Sequence, residues 1–169
     1  TYNSAGTDYD PTVETPYDNE IDNYRQTHYQ LFWNKAVSEN LNMELAGHYT
    51  RGIGYFEQFK SSQDLGEYGL EPAEEVNDLV RRKWLDNHFF GLVFNLERNF
   101  KDSRFLFGGG AHDYIGNHFG EVDTVYAPGV FIPQNHLYYD NDANKLDMNV
   151  YAKYQHDFGS LSVFGDVQY

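Results

Sequence analysis

Apolar and polar residues exchange places at every second position along most of this chain. Over 24–36, Thr27, Tyr29, Leu31 and Trp33 alternate with Gln26, His28, Gln30 and Asn34. Over 41–60, Leu41, Met43, Leu45, Gly47 and Tyr49 alternate with Asn42, Glu44, Ala46, His48 and Thr50. A period of two sends each set to its own face of a strand. The short polar turn at 36–40 joins the two strands into a hairpin with one apolar face and one face of Gln, His, Asn and Glu.

The same rhythm predicts strands at 82–96, 104–114, 146–155 and 161–169. Over 82–96, Trp84, His88, Phe90, Leu92, Phe94 and Leu96 oppose Leu85, Asn87, Phe89, Gly91, Val93 and Asn95, so both faces are apolar near Phe89 and Phe90. Phe105, Phe107, Gly109 and Ala111 share a face in the next strand, opposite Leu106, Gly108, Gly110 and His112. Between the strands, 1–23, 61–80 and 115–144 read as long loops rich in Asp, Asn and Pro. Pro72 followed by Glu74 and Glu75 predicts a short helix over 73–80 within the second loop. Turns at 36–40, 97–103 and 156–160 are short. Short and long connections therefore alternate strictly, which places all short turns at one end of an up-and-down meander. The expected fold is all-β, an antiparallel meander of about six long strands forming part of a larger transmembrane β-barrel, where such sorting is usual.

Composition sharpens this picture. Aromatics make up 18% of the 169 residues, with 15 Tyr and 13 Phe against a hydrophobic fraction of 40%. Such weighting suits aromatic girdles at a lipid–water interface, and Tyr29, Trp33, Trp84 and Phe105 are the candidates for that place. The formal net charge of −14 leaves no basic patch for phosphates and excludes nucleic acid as the expected partner. Without cysteine there is no disulfide framework, thiolate metal site or cysteine nucleophile. No run reaches the roughly 18 apolar residues of a membrane-spanning helix, a test that barrel strands escape. The chain opens in a polar stretch at Thr1 and closes at Tyr169 in mid-strand, and is expected to be a piece of something longer.

Candidate chemistry is sparse. Gln26, His28, Gln30, Glu44 and His48 share the polar face of the first hairpin and are candidates to face a barrel lumen. Glu44 and His48 fail as an acid–base pair, because four residues of strand separate them by roughly 13 Å. His118, Glu121 and Asp123 lie close enough in sequence to share a cation, although hard cations prefer an all-oxygen set. Gly108-Gly-Gly110 lacks the Lys and Ser/Thr of a phosphate loop and reads as a place where a strand bends or a neighbour packs close. No nucleophile motif is present, so no enzyme activity and no cofactor are expected.

Several strings resemble the barrel region of TonB-dependent outer-membrane receptors of the Bacteroidetes type. They are Tyr17-Asp-Asn-Glu-Ile-Asp-Asn-Tyr24, His28-Tyr-Gln-Leu31, His48-Tyr-Thr-Arg-Gly-Ile-Gly-Tyr-Phe-Glu-Gln-Phe-Lys60, Asp78-Leu-Val-Arg-Arg-Lys-Trp-Leu-Asp-Asn87, Gly108-Gly-Gly-Ala111 and Asn117-His-Phe-Gly-Glu-Val122. The resemblance implies an outer-membrane barrel of about 22 strands closed around a plug. It also implies uptake of a small nutrient (siderophore, vitamin, glycan or peptide) driven by the TonB complex. Its expected partners are outer-membrane lipid, the plug and the TonB complex of the full-length protein, and the nutrient itself. Alone, these strands are expected to self-associate through their edges. The competing expectation is a soluble all-β module that holds a ligand or glycan on its aromatic side chains.

Overall fold

The computed structural model describes residues 21–169. Six strands follow one another in chain order: β1 (Asp22–Ser38), β2 (Leu41–Asp64), β3 (Val76–Asn99), β4 (Ser103–Val125), β5 (Leu137–Asp157) and β6 (Ser162–Gln168). They form one antiparallel sheet in the order β1-β2-β3-β4-β5-β6, an up-and-down meander without crossovers. The connections at 39–40, 100–102 and 158–161 are tight, and those at 65–75 and 126–136 are longer. The first 20 residues, with most of the expected 1–23 loop, lie outside the described part.

Two expectations are corrected. No helix spans 73–80. A 3-10 helix at Leu65–Tyr68 precedes that stretch, and β3 has begun by Val76. Pro72 and its glutamates satisfy the rules for a helix start, but residues 73–75 are committed elsewhere. The Leu65 amide donates to the Glu75 carbonyl at 3.0 Å, and the Gly66 amide donates to the Ala73 carbonyl at 3.2 Å. Leu79 and Val80, which are successive residues on opposite sides of a strand, are both buried, a demand that a strand between two packed faces meets.

The long loops are also shorter than 61–80 and 115–144. β4 continues through Ile115, Val122, Thr124 and Val125, whose β-branched side chains suit a strand. β5 starts at Leu137 despite a run of Asp and Asn with poor strand propensity. Side-chain bonds across β4 and β5 offset that preference: the Asn117 amide donates to Asp140 at 2.6 Å and to Asp142 at 3.0 Å.

The chain divides into two compact units. One comprises 52–87 and 116–143 with the described residues up to Gln26; the other comprises 27–51, 88–115 and 144–169. In the first, Leu65, Tyr68, Leu70, Leu79 and Val122 form a buried cluster, with Val125, Val130, Ile132 and Tyr138 packed against it. This core draws on the 3-10 helix, capped at its start by the Asp64 carboxylate on the Gly66 amide at 2.9 Å and closed by Gly69 at φ 65. In the second unit no large hydrophobic residue is buried among those described. Its apolar alternation is present, but the apolar side stands open.

Candidate functional site

In the second unit, the apolar face gathers Tyr29, Leu31 and Trp33 from β1, Leu92 from β3, Phe105 and Phe107 from β4, Met148 and Val150 from β5 and Val167 from β6. All are exposed, Leu31 at 75% and Met148 and Val167 at 67% each. Tyr29 stacks on Tyr49 with ring centroids 6.1 Å apart, and the Tyr49 hydroxyl lies 2.8 Å from His88 Nδ1. A furrow of about 490 Å³ runs between Leu92 and Phe94 on one side and Met148 and Val150 on the other, floored by Gly110 and Ala111. Gly109 belongs to the same crowded passage, since a Cβ there would meet the Asn149 carbonyl and Val150 Cγ1. The three glycines thus mark close packing, as the sequence suggested.

The opposite face of this unit is polar, and several of its groups are paired. His28 Nδ1 lies 2.9 Å from the Thr50 hydroxyl. The Asn95 amide donates to Glu44 at 3.3 Å, and the Tyr151 hydroxyl donates to Asn95 Oδ1. His48 Nε2 lies 2.9 Å from His112 Nδ1. Two of these bridges pass over a glycine of an intervening strand. A Cβ at Gly108 would strike Asn95 and the Tyr151 ring, and one at Gly91 would strike both imidazoles. Phe32 and Phe164, on the edge strands, interrupt this polar face and are exposed. Of the five lumen-facing candidates, His28, Gln30, Glu44 and His48 fall in this unit. Gln26 falls in the other, where its amide donates to the Tyr24 hydroxyl at 3.3 Å.

The first unit carries a charged cluster. Arg82 Nε contacts Glu57 at 2.6 Å and its Nη1 contacts Asp123 at 2.8 Å. Glu57 is the buried charge of the described residues, at 3% exposure. Burial opposes the Arg82 charge, but the Glu57 hydrogen bond and the two carboxylates outweigh it and raise its pKa. The Trp84 indole donates to Glu121 at 2.7 Å; its ring stacks on Phe119 at 5.7 Å and meets Tyr55 at a tilt, 4.5 Å away. A polar cavity of about 180 Å³ lies beside this cluster, bordered by Arg82, Glu121, Asp123, Asn135 and His136.

The suggested cation site does not assemble. Asp123 is engaged by Arg82 and Glu121 by Trp84, while His118 falls on the other face of β4 by parity. Among the described residues no group of three metal-ligating side chains forms. Of the girdle candidates, Tyr29, Trp33 and Phe105 are exposed, whereas Trp84 is half-buried in its aromatic stack. His112 with Asp113 reads in the sequence as a weak metal dyad, whereas Asn95, Tyr151, Glu57 and Arg82 are not candidates from the sequence alone. Their signal was complementary pairing across strands: Glu44 with Asn95 and Glu57 with Arg82 become visible once β2 and β3 are set in register.

No family model matches the chain, and neither a curated protein nor a solved structure matches it.

Proposed function

We propose that this chain forms part of the barrel wall of an outer-membrane TonB-dependent receptor, serving energy-coupled uptake of a small nutrient. The observation that carries the membrane reading is the apolar face of the unit built from 27–51, 88–115 and 144–169, which is exposed from β1 to β6. In water such a face is an aggregation hazard; in a bilayer it meets hydrocarbon, its proper solvent. Its strand segments, such as 41–51 and 88–99, approximate the 9–11 residues that cross a hydrocarbon core. The sheet satisfies backbone groups between strands, as a membrane demands, and among the described residues its outer strands β1 and β6 each pair on one side only, which suits continuation into further strands.

On this reading the polar face meets the plug, and the segments at 65–75 and 126–136 take part in nutrient capture. The TonB complex acts through the full-length protein, and the receptor assignment itself rests on the sequence resemblance. A soluble ligand-binding module would need a second layer over the apolar face, and every strand among the described residues belongs to the one sheet. No covalent chemistry is assigned to the chain.

The test is to produce the full reading frame in a Gram-negative host and separate its membranes. The protein is expected in the outer membrane, with a gel mobility that changes on boiling. Recovery in the soluble fraction without detergent would sink the membrane reading. For the receptor reading, strains lacking this gene or the TonB complex are expected to lose growth on the same limiting siderophore, vitamin, glycan or peptide. Growth of both strains on all four classes would overturn it.

A further inference from the structure

We infer that His48 and His112 form a two-histidine site for a borderline divalent cation, Cu²⁺ ahead of Ni²⁺ and Zn²⁺. The imidazoles come from β2 and β4, on either side of β3, and approach with Nε2 and Nδ1 2.9 Å apart. Metal–imidazole bonds are about 2.0–2.1 Å long. Two such ligands at right angles on one ion lie about 2.9 Å apart, so the pair has the spacing of two adjacent positions in a tetragonal site. Ion binding replaces the hydrogen bond between the rings: its proton moves to the far nitrogen of the donor ring, and both lone pairs turn to the ion.

The surrounding residues hold that arrangement open. Gly91 clears the strand between the two rings, where a Cβ would strike both reacting nitrogens. Gly110 clears space under the other side of His112, since a Cβ there would lie 2.9 Å from its Nε2. Phe89 packs against both rings, with centroids 4.9 Å from His48 and 5.8 Å from His112. The Glu44 carboxylate lies four strand residues away from His48 and accepts from Asn95. The donor set is therefore nitrogen alone, which selects copper, nickel and zinc over magnesium and calcium. With no third metal-ligating side chain grouped with them among the described residues, water completes the coordination. The inference uses the geometry of one unit and does not depend on the membrane reading.

The test is a Cu²⁺ titration of the full-length protein, followed by calorimetry and by electron paramagnetic resonance of the one-to-one complex. Two coordinated imidazole nitrogens are expected. His48→Ala and His112→Ala should each weaken binding by about tenfold or more, while His28→Ala leaves it unchanged. Affinity indifferent to both His48→Ala and His112→Ala would overturn the site. Should either variant fail to fold, the spectrum of the unaltered protein decides, because fewer than two nitrogens also overturns it. A soluble protein that still binds Cu²⁺ through this pair would retain the site and lose the membrane reading.

Discussion

Tyr138 shows how a single buried group sets a pH limit. Its hydroxyl is buried without a well-formed hydrogen bond; the nearby Arg81, which still interacts with it, directs its well-formed bonds to the Tyr68 hydroxyl at 3.1 Å and to Gln58 at 3.2 Å. Burial raises the Tyr138 pKa from 10.0 to about 12, against the opposing charge of Arg81. Between those values the unfolded chain releases a proton that the folded chain keeps, so stability falls as pH rises through that window and is untouched below it. Tyr138→Phe is expected to reduce this alkaline loss, leaving the part due to Tyr139, whose pKa burial also raises. At pH 8 it should leave stability unchanged or raise it by up to about 1 kcal/mol, since it removes a polar atom without a well-formed bond; melting curves at pH 8 and pH 11 check both statements. The two arms of Arg82 offer a second contrast. Its Glu57 arm ends on a side chain 2% exposed, and its Asp123 arm on one 32% exposed. Arg82→Met removes the arginine from a buried carboxylate and should cost about 3–5 kcal/mol. Asp123→Asn should cost no more than about 1 kcal/mol, as read from denaturant midpoints. Equal costs would show that the buried arm has no special weight.

At the scale of elements, the alternation of apolar and polar residues located all six strands, because each keeps its period of two through its centre. Their ends were not legible. The extensions of β4 to Val125 and of β5 back to Leu137 rest on partners far away in sequence, such as Asn117 with Asp140 and Asp142. The helix expected over 73–80 has the same cause: local start signals were present, and pairing of 73–75 with Leu65 and Gly66 overrode them. The helix that does form was marked by Asp64 before it and Gly69 after it, a capping side chain and a residue able to take φ 65. Gly69→Ala forces a side chain into the left-handed region and brings its Cβ within 3.3 Å of the His136 ring. It is expected to cost about 1–2 kcal/mol, measured by thermal unfolding, and to loosen the contact of His136 Nε2 with the Tyr68 carbonyl at 2.6 Å. A melting temperature unchanged by Gly69→Ala would mean that the 3-10 helix contributes nothing to the core it covers.

For the molecule as a whole, the setting is decided by the unit built from 27–51, 88–115 and 144–169, whose polar face carries paired groups and whose apolar face is left exposed. The two faces were legible from alternation, whereas the bridges across the polar face were not, because Gly91 and Gly108 become meaningful only once three strands are in register. What covers the apolar face decides between hydrocarbon and water, and adjacent residues of β5 can tell them apart. Met148 lies on the apolar face and is 67% exposed, while Asn149 alternates to the other side. In water, Met148→Arg should be harmless or improve solubility, since the side chain has no packing to lose. In a bilayer, an arginine on the lipid face costs about 2–4 kcal/mol near the midplane, and the same residue at Asn149 faces away from lipid. The expectation is that Met148→Arg sharply lowers the folded, heat-modifiable fraction in outer membranes, while Asn149→Arg stays near the unaltered protein. Equal yields for the two variants would place the apolar face in contact with something other than lipid, even if the protein fractionates with membranes. That outcome would direct the search to a protein layer over β3, β4 and β5, seated on the furrow between Leu92 and Met148.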